Sequence, residues 1–267
     1  MTEQPILVLG ATGKTGRRVA DRLRADGQRV RAASRSGETR FDWTEPSTWD
    51  SALSGVRAAF LVAPEDEPGV PPEFVRRAAE HGVPRLVLLS ARGVEELGDD
   101  ALLAAEHAVR GSGAEWTILR PSWFDQNFDE GMFRPALLAG ELVLPVGDGL
   151  EPFIDAGDIA DVAVAALTGD GHAGRTYELT GPRALSFAEA VGLIASASGR
   201  PIRFTDLPAE QFAAAQLADG VPKEAVDLLT ELFETIRLSR NAAVTDDVRH
   251  VLGRPPRDFT TYATTWR

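Results

Sequence analysis

Residues 6–16 read ILVLGATGKTG: an apolar run, Ile6 to Leu9, enters three spaced glycines and then the helical pattern Arg17 to Arg24. Strand, glycine loop and helix in that order suit the pyrophosphate of a dinucleotide. Each glycine has its own task. Gly10 makes the tight turn, Gly13 lets the backbone approach a phosphate, and Gly16 lets the helix pack closely on the strand. The helix N-terminus then turns unpaired N–H groups toward the anion. Thr12, Lys14 and Thr15 complete the expected phosphate-side set.

Gly13-Lys14-Thr15 also resembles the end of an ATP-binding loop. That loop requires glycine five positions before its last glycine, where Val8 stands inside the strand. ATPase and kinase readings are therefore set aside.

Outward from this stretch, apolar runs alternate with helical patterns: Val30 to Ala33, Ala58 to Val62, Leu86 to Leu89 and Trp116 to Leu119. Helix faces carry Val19 and Leu23, then Val75, Ala78 and Ala79, then Leu102, Ala105 and Val109. The alternation predicts an α/β fold, a Rossmann-type doubly wound parallel sheet whose ligands lie beyond the strand C-termini. Past Arg120 it breaks into an aromatic, Gly- and Pro-rich excursion over about 121–150. It resumes with Pro152 to Asp155, a helix from about Ile159 to Leu167 capped by Asp158, and a last parallel strand, Thr176 to Thr180. Beyond lie helical patterns (Phe187 to Ser198, Ala209 to Leu217, Lys223 to Ile236) and one short strand, Ile202 to Thr205. The expected division is a nucleotide-binding domain over 1–182 and a smaller, mainly helical C-terminal lobe over 183–267 on the substrate side.

Composition narrows the function classes. With 28 basic and 40 acidic residues the net charge is −12, which disfavours nucleic-acid partners, whose affinity comes from Lys and Arg on phosphates. The absence of cysteine excludes disulfides and thiolate sites. The four histidines, His81, His107, His172 and His250, lack paired ligand spacing, so no metal is expected. No apolar stretch reaches membrane-span length and no leader pattern is visible, so the expected location is the cytoplasm. The oligomeric state is left open.

An NAD-specific site usually carries Asp or Glu after the second strand, roughly 20 residues beyond the glycines. Here Ser34, Arg35 and Ser36 stand there, a guanidinium and two hydroxyls that suit a 2′-phosphate, so NADPH is the expected cofactor. Asp42 and Trp43 would border the adenine. Val62, Ala63 and Pro64, with Ser90 and Ala91, would flank the nicotinamide half by position. A small-molecule pocket would be lined by Arg92, Trp123, Phe124, Asn127 and Phe128.

With GATGKTG, Arg35, Ser90 to Arg92, EWTILRPSWFDQNF (Glu115 to Phe128) and EPFIDAGDIADVAVAAL (Glu151 to Leu167), the chain resembles the NmrA-like atypical short-chain dehydrogenases. Within them it looks closest to bacterial relatives of fungal ergot-alkaloid reductases, with quinone oxidoreductases nearby. The resemblance implies an NADP-binding oxidoreductase of the kind found in secondary metabolism. It also implies a YxxxK pair that this chain lacks: aligned on Glu106 and SGAEWTILRP, Asp99 and Leu103 take those places. The expected activity is therefore hydride transfer from NADPH to an already electrophilic acceptor, an iminium or a quinone, with no Tyr/Lys acid. Ser90 is the one candidate catalytic residue. A non-catalytic NADP(H) sensor and a non-redox isomerase or cyclase are the alternatives. Glu106 and His107 read as solvent-side or packing residues.

Overall fold

The computed structural model describes residues 4–63 and 69–266. Its strands are β1 (Ile6–Val8), β2 (Val30–Ser34), β3 (Thr39–Arg40), β4 (Ala58–Leu61), β5 (Arg85–Leu89), β6 (Glu115–Pro121), β7 (Glu141–Leu144), β8 (Leu150–Glu151), β9 (Arg175–Leu179), β10 (Leu185–Ser186) and β11 (Arg203–Asp206). The helices are α1 (Lys14–Ala25), α2 (Trp49–Leu53), α3 (Pro72–Glu80), α4 (Val94–Leu97), α5 (Asp100–Arg110) and α6 (Arg134–Leu138), followed by α7 (Ala156–Thr168) and α8 (Phe187–Ser198). After them come α9 (Ala209–Ala218), α10 (Lys223–Arg237), α11 (Asp247–Leu252) and α12 (Phe259–Ala263).

The chain folds as two compact units. The first, Met1–Pro121 with Ala156–Leu179 and Asp247–Arg254, holds a seven-stranded parallel sheet in the order β3-β2-β1-β4-β5-β6-β9. The order reverses at β1, where Ile6 lies beside Val30 on one side and Ala58 on the other. β1 and β4 are buried at every position, as befits central strands covered on both faces. Leu7, Leu86 and Leu88 alternate onto one face, into a core with Val75 and Ala78 of α3 and Ala105 and Val109 of α5. On the sheet's other side α1 packs along α7.

The second unit comprises Ser122–Asp155, Thr180–Asp246 and Pro255–Arg267. It pairs β7 with β11 in parallel and β8 with β10 antiparallel, around an aromatic core of Phe128, Phe133, Phe153, Phe187 and Phe259. α8 starts with a full capping box between Ser186 and Glu189.

The expected boundary at 182 is thus corrected. The excursion belongs with the C-terminal lobe because its strands find their partners there, Glu141 beside Arg203 and Glu151 beside Leu185. α11 in turn returns to the first unit, where the Asp247 carboxylate accepts the Glu178 amide 2.7 Å away. Asp158 is not the N-cap residue: it lies inside the first turn of α7, wholly buried, and accepts from Arg254 at 2.7 Å. Pro152 to Asp155 contributes only a single bridge, Ile154 to Phe124. Among the described residues no helix is long and apolar enough to cross a membrane, and no cluster of metal-ligating side chains occurs.

Candidate functional site

The glycine loop has the geometry its sequence demands. Gly10 has φ +57°, a left-handed conformation, and a Cβ there would lie 2.8 Å from Val62 Cγ1. A Cβ on Gly16 would stand 2.2 Å from the Gly10 carbonyl oxygen and 2.8 Å from that of Leu9, so α1 sits against the strand end as only glycine permits. The Gly13 amide donates to the Gly10 carbonyl at 2.8 Å, and Gly13 takes the N-cap position of α1 with no side chain over the helix end. No acidic residue occupies the first turn, which leaves its N–H field open to an anion. Thr15 is buried and Thr12 exposed.

The Ala11 amide donates to the Ala33 carbonyl at 3.3 Å, tying the loop to the end of β2. The chain there turns through Ser34, Arg35 and Ser36, with Arg35 exposed. β3 follows, then Asp42 and Trp43. The Asp42 carboxyl is held below the usual carboxylate range, first by hydrogen bonds from the Thr44 side chain and amide and less by the Arg35 and Arg40 charges. Trp43 is half-buried, edge-on to Phe41 at 4.7 Å and to Phe74 at 4.9 Å. Arg35, Asp42 and Trp43 therefore lie at one end of the sheet, beside the glycine loop. Val62 and Ala63 follow β4 and are partly exposed, whereas Pro64 falls outside the described residues.

Beyond β5 lies a network that spacing alone does not reveal. Ser90, 7% exposed, donates its hydroxyl to Glu106 Oε1 at 2.6 Å. Glu106 is wholly buried, accepts from Arg120 Nε at 2.8 Å and from the Arg120 fork at 2.7 Å, and forms an ion pair with Arg110 at 2.9 Å. Burial raises the Glu106 carboxyl, but the Arg120 and Ser90 hydrogen bonds, with the Arg120 and Arg110 charges, outweigh it and hold the group below its ordinary value. Arg120 also reaches Glu95 at 2.8 Å and Glu178 at 3.6 Å, and Glu178 pairs with Arg92 at 3.1 Å. Three guanidiniums and three carboxylates thus join the ends of β5, β6 and β9 to α5.

This network bears on three expectations. Glu106 is a buried ionic hub, although His107 beside it is exposed as expected. Arg92 is held by Glu178, its side chain 10% exposed, so its charge is already matched. Ser90 already gives its proton to Glu106, which leaves it no proton for an acceptor. A signal existed for Glu106: with Leu102, Ala105 and Val109 it shares the i, i+3, i+4, i+7 stripe of α5 that faces the sheet.

The two YxxxK positions are built for other purposes. The Asp99 carboxylate caps α5, accepting from the Ala101 and Leu102 amides at 3.1 and 2.9 Å, and Leu103 is partly buried. The Tyr177 hydroxyl meets His172 Nδ1 at 2.9 Å, and Tyr262, 4% exposed, donates to Asp129 at 2.8 Å.

In the second unit, Phe128 is wholly buried among Phe133, Phe153, Phe187 and Phe259, and its carbonyl accepts Trp266 Nε1 at 2.9 Å. It is a core residue, not the pocket wall expected of it. Trp123 is half-buried and stacks at 5.9 Å with both Phe133 and Phe233. Phe124 and Asn127 are partly exposed.

Comparison with known proteins agrees with this architecture. Residues 10–170 match the NAD(P)H-binding family. The chain is 36% identical to an uncharacterized oxidoreductase, YesF, of Bacillus subtilis, covering 98% of this chain and 95% of the relative. It is 32% identical to festuclavine synthase I of Penicillium roqueforti, over 97% and 96%. The NADPH-dependent quinone oxidoreductase QOR2 of Escherichia coli, solved with NADPH, shares the fold with a TM-score of 0.83 at 22% identity, covering 97% and 99%. With that family matched over most of the first unit and such relatives matched over nearly the whole length, the chain belongs to the NAD(P)H-binding family and is an NAD(P)H-dependent oxidoreductase.

Proposed function

We propose that the protein is an NADPH-dependent reductase of small, already electrophilic acceptors, iminium ions or quinones, working without a tyrosine–lysine acid. The observation that carries the cofactor half is the loop Gly10–Gly16, whose close approaches leave no room for a Cβ at Gly10 or Gly16, tied through Ala11 to the β2 end that bears Arg35. A pyrophosphate fits the open N-terminus of α1, and a 2′-phosphate fits the exposed Arg35 guanidinium with Ser34 and Ser36. Asp42 and Trp43 lie where an adenine would be bordered. Val62 and Ala63 lie beyond the β4 end, on the way to the nicotinamide half.

NADPH supplies a hydride from its nicotinamide ring. This chain's residues align the ring and exclude water, a contribution of proximity and orientation. An iminium carbon becomes a neutral amine on accepting hydride, and a reduced quinone collects its protons from water. Neither needs a protein acid at the acceptor. The capped Asp99, the apolar Leu103, the committed Ser90 hydroxyl and the two tyrosines tied elsewhere support that choice.

The test is NADPH oxidation across a panel of quinones, cyclic iminium ions and plain ketones. Turnover with the first two classes and none with ketones is expected. Tight NADPH binding with no oxidation by any acceptor overturns the reductase reading, and ketone reduction at comparable rates overturns the mechanism.

A further inference from the structure

We propose that Ser90 binds the nicotinamide half of NADP(H) as a hydrogen-bond acceptor, taking an N–H of the carboxamide or an O–H of the adjoining ribose. The inference rests on the reading of the first unit as an NADP(H) site.

The direction of the Ser90–Glu106 bond is fixed by what surrounds Glu106. Its two oxygens accept two guanidinium N–H groups of Arg120, at 2.7 and 2.8 Å, and Arg110 forms an ion pair with it at 2.9 Å. A carboxylate held this way is ionised and can only accept. The hydrogen in the 2.6 Å contact is therefore the one on Ser90. A serine hydroxyl has a single proton, so what Ser90 Oγ has left is lone-pair capacity. The Ser90 amide itself does not compete, because it is bonded to the Leu119 carbonyl at 2.8 Å.

Position supplies the ligand. Ser90 follows β5, the neighbour of β4, and Val62 after β4 lies against the turn of the glycine loop at Gly10. The nicotinamide half of a dinucleotide extends to this edge, and it carries two kinds of hydrogen-bond donor, carboxamide N–H and ribose O–H.

The experiment measures binding of NADPH, and of the analogue in which the carboxamide NH2 is replaced by methyl (the 3-acetylpyridine coenzyme), to wild type and Ser90→Ala. Ser90→Ala should weaken NADPH by about 2- to 10-fold, the range of one net hydrogen bond. If the carboxamide is the donor, wild type loses a similar factor on the analogue and the variant binds both coenzymes equally. If the ribose is the donor, the variant loses the same factor on both. Ser90→Cys, which keeps a donor toward Glu106 but is a weak acceptor, carries the same comparison should Ser90→Ala fail to fold. Unchanged binding of both coenzymes by the variant, or a loss confined to turnover, overturns the inference. A wild type that binds neither coenzyme refutes the cofactor reading itself, a separate and recognisable result.

Discussion

Gly16→Ala adds one methyl group where α1 meets the end of β1. Its Cβ would lie 2.2 Å from the Gly10 carbonyl oxygen, 2.6 Å from the Gly10 carbonyl carbon and 2.8 Å from the Leu9 oxygen. Ordinary contact begins at 3.4 Å, so α1 must retreat by about 1.2 Å. The obstacle is backbone, which has no rotamer to yield. Overpacking of this kind costs about 1–3 kcal/mol, and the gain from alanine inside a helix returns about 0.5–1 kcal/mol. The net loss is about 1–2 kcal/mol, a fall in Tm of about 2–8 °C for a chain of this size. Gly13→Ala is the informative partner: among the described residues its Cβ meets only one atom, the Gly10 oxygen at 3.3 Å, and φ is an ordinary −81°. Stability should fall by about 1 kcal/mol or less, the difference between glycine and alanine as an N-cap. NADPH affinity should nevertheless drop, because the methyl stands on the face a phosphate must approach. Thermal melts and NADPH titrations on the three proteins separate these effects. Gly16→Ala melting at or above wild type refutes the close-packing argument, and Gly13→Ala binding NADPH normally refutes the phosphate approach.

Arg35→Asp replaces the only guanidinium of the β2 turn with a charge that repels a 2′-phosphate; NADPH affinity should fall by about 10- to 100-fold while NADH binding stays or improves, and an unchanged preference in paired titrations contradicts the assignment. Glu106→Gln weakens the charged hydrogen bonds from Arg120 and removes the ion pair with Arg110, and should cost about 1.5–3 kcal/mol near neutral pH. Because the folded Glu106 carboxyl titrates below its ordinary 4.5, its stabilisation is complete above that pH and is lost as pH falls through the folded value. Denaturant melts should therefore show a gap between wild type and Glu106→Gln that is flat above pH 4.5 and narrows below it; a gap that widens in acid refutes the ionised assignment. Trp266→Phe leaves the buried Phe128 carbonyl without its indole donor and should cost about 1–3 kcal/mol by the same melts, whereas a neutral result would show that the bond does not anchor the C-terminal segment.

The first unit is legible in the sequence because its signals are local. Ile6 to Gly16 carries strand, turn and helix start within eleven residues, and the apolar runs at Ala58, Leu86 and Trp116 need no knowledge of their partners to be read as central parallel strands. The second unit is not legible in this way. Glu141 and Leu150 belong to short strands of mixed polarity whose partners, Arg203 and Ser186, lie tens of residues away, so nothing nearby announces the pairing. The glycine loop and the β2 turn were visible for the same local reason. The ionic hub was not: Arg120 ends an apolar strand and Glu106 sits on an apolar helix face, and the charges make sense only once both are buried together. The aromatics of Trp123 to Phe128 show the reverse limit, since sequence cannot tell a ring that lines a pocket from one, like Phe128, enclosed in a core.

The most direct test uses NADPH carrying deuterium at C4 of the nicotinamide, with a cyclic iminium ion as acceptor, and weighs the amine product by mass spectrometry. One deuterium is expected on the former iminium carbon when the label is on the transferred face, with one coenzyme oxidised per amine formed. Amine formed without label from coenzyme deuterated on either face, or no amine at all from a protein that binds NADPH tightly, would contradict that expectation.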